Sequence, residues 1–341
     1  EIAYPVDAGA VAGRPVYFRL HGPWSDNHRT VTARPAARGA DVFILLLVFA
    51  IISTGVALAV RHHRRGRTDM RGAGRIAIAL LIMPIIGWLF GRHHAPLPDA
   101  LLDRFFVSVS QGALYAVLCL LLYLALEPYV RRIWPEVMIG WTRLLSGGWR
   151  DPMVGRSVLI GGAMCGMSSN FSVVQIQLIR ALGYPPPMLQ GLDYYALATP
   201  RVMIGTMANQ MPNALFNILF FLMMLVVLRL LTRRLWLTYL AFFNVTASVI
   251  MVQAGDLAIG AIAGSLLAAL WLVTLVRGGM LAFAVGFFLW QVVQTAPLTL
   301  DFSQMHAAPS LMLLAAIFGL LGVAFSVALA GRSLLQDMPG K

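Results

Sequence analysis

The chain is 341 residues long, 59% hydrophobic and 12% charged, with a mean hydropathy of +0.77, which excludes a soluble globular domain. Its formal net charge of +12 is carried almost wholly by arginine, since Lys341 is the only lysine. Arginines gathered in loops beside hydrophobic runs mark membrane topology and contact with anionic lipid, and the absence of basic stretches interleaved with aromatics argues against a nucleic-acid surface.

Residues 1–41 are polar, rich in Pro, Gly and Arg, and without helical period. Within them PVYFRL alternates Val16, Phe18 and Leu20 with Tyr17 and Arg19, bounded by Gly13-Arg14-Pro15 and His21-Gly22-Pro23, which predicts one short strand or a hairpin. So small a segment cannot bury a core of its own. Residue 1 is Glu and no signal-peptide pattern follows, so the chain reads as a fragment or a processed product.

Nine hydrophobic runs follow, at 42–60, 76–90, 105–126, 154–174, 213–231, 235–252, 257–276, 280–296 and 311–330. A crossing takes roughly 20 apolar residues, so the expectation is an all-α polytopic bundle of about nine transmembrane helices with a small N-terminal β-containing segment. The second run contains Pro84. The fourth is diluted by Gly161, Gly162, Gly166, Ser168, Ser169 and Asn170, which suits either close helix packing or the lining of a polar cavity. Alternate loops carry the basic residues: RHHRRGRTDMRGAGR, the stretch after the third run, Arg229 with Arg233 and Arg234, and Arg277. That alternation places residues 1–41 outside and the tail 336–341 in the cytoplasm.

Between the third and fourth runs, Ala125–Arg156 sets five arginines against three acids and carries three tryptophans. Trp134, Val137, Met138, Trp141, Leu144 and Leu145 fall on one side at helical spacing, and Glu136, Gly140 and Arg143 on the other. This predicts an interfacial cytoplasmic helix within 127–156, begun at Pro135, ended by Gly147 and Gly148, with Trp134, Trp141 and Trp149 at headgroup depth. Arg131, Arg132, Arg143 and Arg150 would face the membrane interface or a partner. Pro128 is expected to end the preceding helix, with Glu127 and Arg131 as a local ion pair. Residues 175–212, with three prolines at Pro185–Pro187, read as an outer re-entrant or lid-like element.

Candidate chemistry is sparse. The one lysine is the last residue and no HRD, DFG or P-loop pattern exists, so phosphoryl transfer has no machinery here. No carboxylate or histidine falls in mid-span, where ion-coupled transport would place one. Glu127 and Arg131, four apart, resemble one element of the glutamate/arginine motifs of intramembrane proteases, but the remainder is missing. The pairs His62-His63 and His93-His94, the latter with Asp99 and Asp103, raise a metal reading; adjacent residues on a helix point about 100° apart and chelate poorly, and no metal is expected. Asn209, Gln210, Asn213 and Asn217 form a polar helical cluster, suited to interhelical hydrogen bonds or to a ligand. Asn209, Asn213, Asn217 and Arg180, the last either snorkelling or near membrane depth, are the candidate ligand-binding residues. Cys119 and Cys165 read as apolar packing residues. No catalytic residue and no cofactor is expected.

Several stretches together, GRPVYFRLHGPW, RGRTDMRGAGRIA, HHAPLPD, LYLALEPYVRRIWPEVMIGWTRLLSGGWRDPMVGR, LLTRRLWL, APLTLDFS and AGRSLL, resemble the C-terminal membrane portion of large serine/threonine protein kinases of Acidobacteria and related bacteria. The pairing of EPYVRR-WP with RDP-VGR is the most specific part. What the resemblance implies is a non-catalytic membrane anchor or sensory domain whose kinase domain lies elsewhere, signalling through the cytoplasmic stretch, with the bilayer and a kinase domain or other membrane subunits as partners. It transfers no catalytic role to any residue here. An accessory structural subunit of a larger membrane complex, and a small-molecule or lipid transporter using the asparagine cluster, are the competing expectations.

Overall fold

A computed structural model describes residues 6–11, 14–20, 35–64, 70–91, 98–182, 199–253, 257–295, 298–299, 301–303 and 307–329. The chain divides into two compact units, Glu1–Leu47 and Val48–Lys341. In the first, β1 (Val6–Val11) pairs antiparallel with β2 (Arg14–Leu20), Val6 opposite Leu20, with an irregularity between Gly9 and Ala10.

The remaining elements are helical: α1 (Pro35–Arg64), α2 (Met70–Gly91), α3 (Pro98–Ile133), a 3-10 turn (Pro135–Met138), α4 (Ile139–Leu145), α5 (Pro152–Ala181), α6 (Pro200–Thr232), α7 (Leu235–Gln253), α8 (Leu257–Val273), a π-helical turn (Thr274–Gly278), α9 (Gly279–Thr295) and α10 (Ala307–Ala328). Among the described residues, 8 helical stretches are long and apolar enough to cross a membrane. One of these, Ala258–Thr295, folds back on itself. Trp271 and Trp290 have ring centroids 5.3 Å apart, whereas a straight helix would separate them by about 28 Å at 1.5 Å per residue. Gly279, at φ 88° and ψ 174°, makes the reversal, a backbone conformation closed to other residues without strain.

Side-chain contacts give each helix a direction. Helix α5 is the spine. It runs parallel to α9, with Gly161 against Ala282 and Gly286 and Ser172 within reach of Gln294. It runs antiparallel to α10, with Gly155 against Ala324 and Ala328, and to α8, where Trp271 donates to Ser168 at 3.3 Å and Gly278 meets Ile160. Helices α2 and α6 cross where Gly91 and Gly205 touch, so closely that a side chain at Gly205 would displace the backbone of Gly91. A Cβ at Gly112 of α3 would come within 3.0 Å of the Leu81 carbonyl of α2. Small residues at these crossings replace the water-driven attraction that is missing between helices in lipid.

Three expectations change. Helix α3 does not stop at Pro128 but continues to Ile133, so that the helix is 36 residues long; proline lacks one N–H, and a helix held on both sides by neighbours tolerates that loss. Residues 175–181 and 200–212 are helical rather than re-entrant, as parts of α5 and α6, because Thr199 caps α6 by accepting from the Val202 N–H and Pro200 starts its first turn. Tyr184, Pro185–Pro187, Tyr194 and Tyr195, on which the lid reading rested, lie outside the described residues, as do His93, His94 and the tail 336–341. The helix expected within 127–156 is present in two pieces, the 3-10 turn and α4, closed by Gly147 at φ 93°.

Candidate functional site

The stretch Trp134–Asp151 forms a belt across one end of the bundle. Its amphipathic pattern is real, but the apolar side faces protein. Trp134, Val137, Met138 and Trp141 are 4–9% exposed. Trp134 donates its indole N–H to Tyr239 Oη on α7 at 2.9 Å. Gly140 rests against Ser157 of α5 and Leu281 of α9, and Gly279 at the α8–α9 reversal approaches the Val137 carbonyl. Arg75 at the start of α2 donates to the Leu145 carbonyl. The belt therefore joins α2, α5, α7 and α9 at one level.

Trp134 and Trp141, expected at headgroup depth, spend their rings on internal packing. A hydrophobic stripe in a membrane protein does not reveal whether lipid or protein covers it, since both are apolar. Trp149 alone of the three is exposed, at 56%, with the Arg150 guanidinium 4.4 Å above its ring. Arg131 and Arg132 are exposed, and Arg131 reaches the buried carboxylate of Glu127 at 3.0 Å.

Asp151 closes the belt. It caps α5 by accepting from the Met153 N–H at 2.8 Å, and both its oxygens accept from Arg143 Nη1, at 2.8 and 2.6 Å. The Arg143 hydrogen bond, then the Met153 N–H, hold its carboxyl below the usual carboxylate range.

The asparagine cluster is split. Asn217 donates to both the backbone oxygen and Oδ1 of Asn213, at 2.8 and 2.9 Å, so the two side chains are joined to each other along α6. Asn209 is exposed and occupies the space over Gly87 of α2. Arg180 is exposed at the last turn of α5, and among the described residues no hydrogen bond joins it to the asparagines. His62 is buried with its ring 5.2 Å from Tyr129, and among the described residues no group of three or more His, Cys, Asp or Glu is placed to hold a metal ion.

Sequence reasoning missed an aromatic core. Phe221 of α6 makes ring contacts with Phe242, Trp271, Phe283 and Phe287, at 5.6 to 6.0 Å, and Trp271 also contacts Trp290. The spacing of Phe283, Phe287 and Trp290 on one helix face was a usable signal; that α6, α7 and α8 would all converge on it was not. Comparison of the chain with protein-family models, with curated proteins and with solved structures finds no match.

Proposed function

We propose that this chain is a non-catalytic membrane anchor or sensory domain, oriented with the belt in the cytoplasm, of the kind that resembles the membrane part of receptor-like bacterial serine/threonine kinases. The observation that carries the reading is the belt itself. It fastens four helices together at one end of the bundle, so a displacement in any of them reaches the exposed arginines and Trp149 through direct contacts. That is what a domain coupling membrane events to an attached cytoplasmic partner requires.

Orientation rests on charge. Arg61, Arg64, Arg75, Arg131, Arg132, Arg143, Arg150, Arg156, Arg233, Arg234 and Arg277 occur at the belt end. Arg104, Arg180 and Arg201 occur at the other, alongside Asp99, Asp103 and Asp301. An excess of arginine in short loops marks the untranslocated side, and this reading, with nine crossings once the reversal at Gly279 is counted, puts the N-terminal segment outside, in the bacterial cytoplasmic membrane that the resemblance implies.

A second reading, an accessory subunit of a larger membrane complex, draws on Gly166, Gly319 and Gly322. A Cβ at any of them would meet nothing within 4 Å, and surfaces of this kind allow a foreign helix to approach closely. Gentle purification from native membranes followed by intact mass measurement and peptide mapping separates the two. A longer product carrying a kinase domain supports the anchor reading, and stoichiometric co-purification with unrelated membrane chains and no kinase overturns it in favour of the subunit reading.

A further inference from the structure

Asn244 stands midway along the 19-residue helix α7, a stretch of mean hydropathy 1.8. It is exposed, as are Leu240 one turn before it and Ser248 and Val252 one and two turns after. Phe242, Thr238 and Thr246, on the opposite side of α7, are buried, and Gly264 of α8 lies against the backbone of Ala247 and Met251 on the flank of these exposed positions. The ridge Leu240–Asn244–Ser248–Val252 is therefore left uncovered by the described residues, and Asn244 lies at the middle of the span. An amide there is unfavourable unless its hydrogen-bonding groups find partners. Asn244 donates one N–H to the Leu240 carbonyl at 2.8 Å; among the described residues its amide oxygen and second N–H have no partner.

We propose that this ridge is the contact between two copies of the chain, with Asn244 paired to the partner's Asn244 across a two-fold axis normal to the membrane. The choice of a second copy follows from the chemistry of the ridge. A primary amide presents a donor and an acceptor and so complements itself. Two copies inserted the same way up bring like residues to the same depth, and a two-fold axis sets each against itself. The ridge carries no formal charge that would repel its own image, and Ser248 is small enough to let the backbones approach. The inference is independent of whether a kinase is attached.

The test uses the full chain in lipid nanodiscs. Cys119 and Cys165 are buried, so an added thiol is the one an oxidant reaches. Leu240→Cys should give a disulfide-linked dimer on treatment with copper phenanthroline, whereas Phe318→Cys on α10, 67% exposed, should not. Adding Asn244→Leu should lower the association constant by about 3- to 20-fold, the range of hydrogen bonds between membrane helices, and Asn244→Gln should restore most of it. Equal cross-linking at positions 240 and 318, an unchanged dimer fraction in Asn244→Leu with native helicity, or cross-linking of position 240 to a different protein in native membranes would each overturn the proposal.

Discussion

Helices α5 and α6 are of similar length, 30 and 33 residues, and both lie among several neighbours, yet they are held by different means. Helix α5 has few large buried side chains and makes contact through its backbone. A Cβ at Gly155 or Gly161 would come within 2.6 Å of a carbonyl oxygen on α10 or α9. Helix α6 buries Met203, Ile218, Leu219, Met223 and Leu225 almost completely and sends Phe221 into the aromatic core. In a bilayer the hydrophobic effect does not distinguish packed from lipid-facing side chains, so helices must be held by closeness of approach or by shape-matched volume. This molecule uses one strategy in each helix.

Gly161→Leu should have the largest effect, about 3 kcal/mol or more, because backbone on the facing helix cannot retreat as a side chain can. The midpoint of unfolding in dodecyl sulfate, followed by circular dichroism, reads it. Gly166→Leu on the same helix, where nothing lies within 4 Å, should leave that midpoint unchanged; equal losses would break the comparison. Leu219→Ala on α6 should cost about 2 kcal/mol, less than in a water-soluble core, because the unfolded side chain already sits in lipid and only the cavity term remains.

The belt supplies a third, polar kind of tie. Tyr239→Phe keeps the ring and removes the hydrogen bond it accepts from Trp134, and should lower stability by about 1 kcal/mol in the same assay. Asp151→Asn should act locally, raising hydrogen exchange around residues 146–156 at neutral pH while leaving the spans protected. The wild-type turn should keep its protection at mildly acidic pH. Its folded carboxyl titrates below the ordinary range, so the contribution is fully present above the unfolded carboxylate value and fades as pH falls through the depressed folded one.

Much of the helical architecture was legible in the hydrophobic runs, and the break between α8 and α9 was visible as Arg277-Gly278-Gly279 even though the apolar stretch around it is continuous. Boundaries were less so. The asparagines and Pro212 hid the first half of α6, whose start is set by Thr199 and Pro200. For the candidate site, periodicity found the belt and its two faces but reversed what Trp134 and Trp141 touch, because amphipathicity measures polarity and not the identity of the covering phase. Asn213 and Asn217 were correctly placed on one face, and that same spacing lets Asn217 donate to the Asn213 side chain.

The seating of Gly279 on Val137 has a consequence for biogenesis. The long apolar stretch Ala258–Thr295 emerges from the ribosome as a single greasy segment that must enter the bilayer as a pair of legs rather than one. The surface that receives its bend was translated more than a hundred residues earlier, so the chain makes the socket before the part that plugs into it.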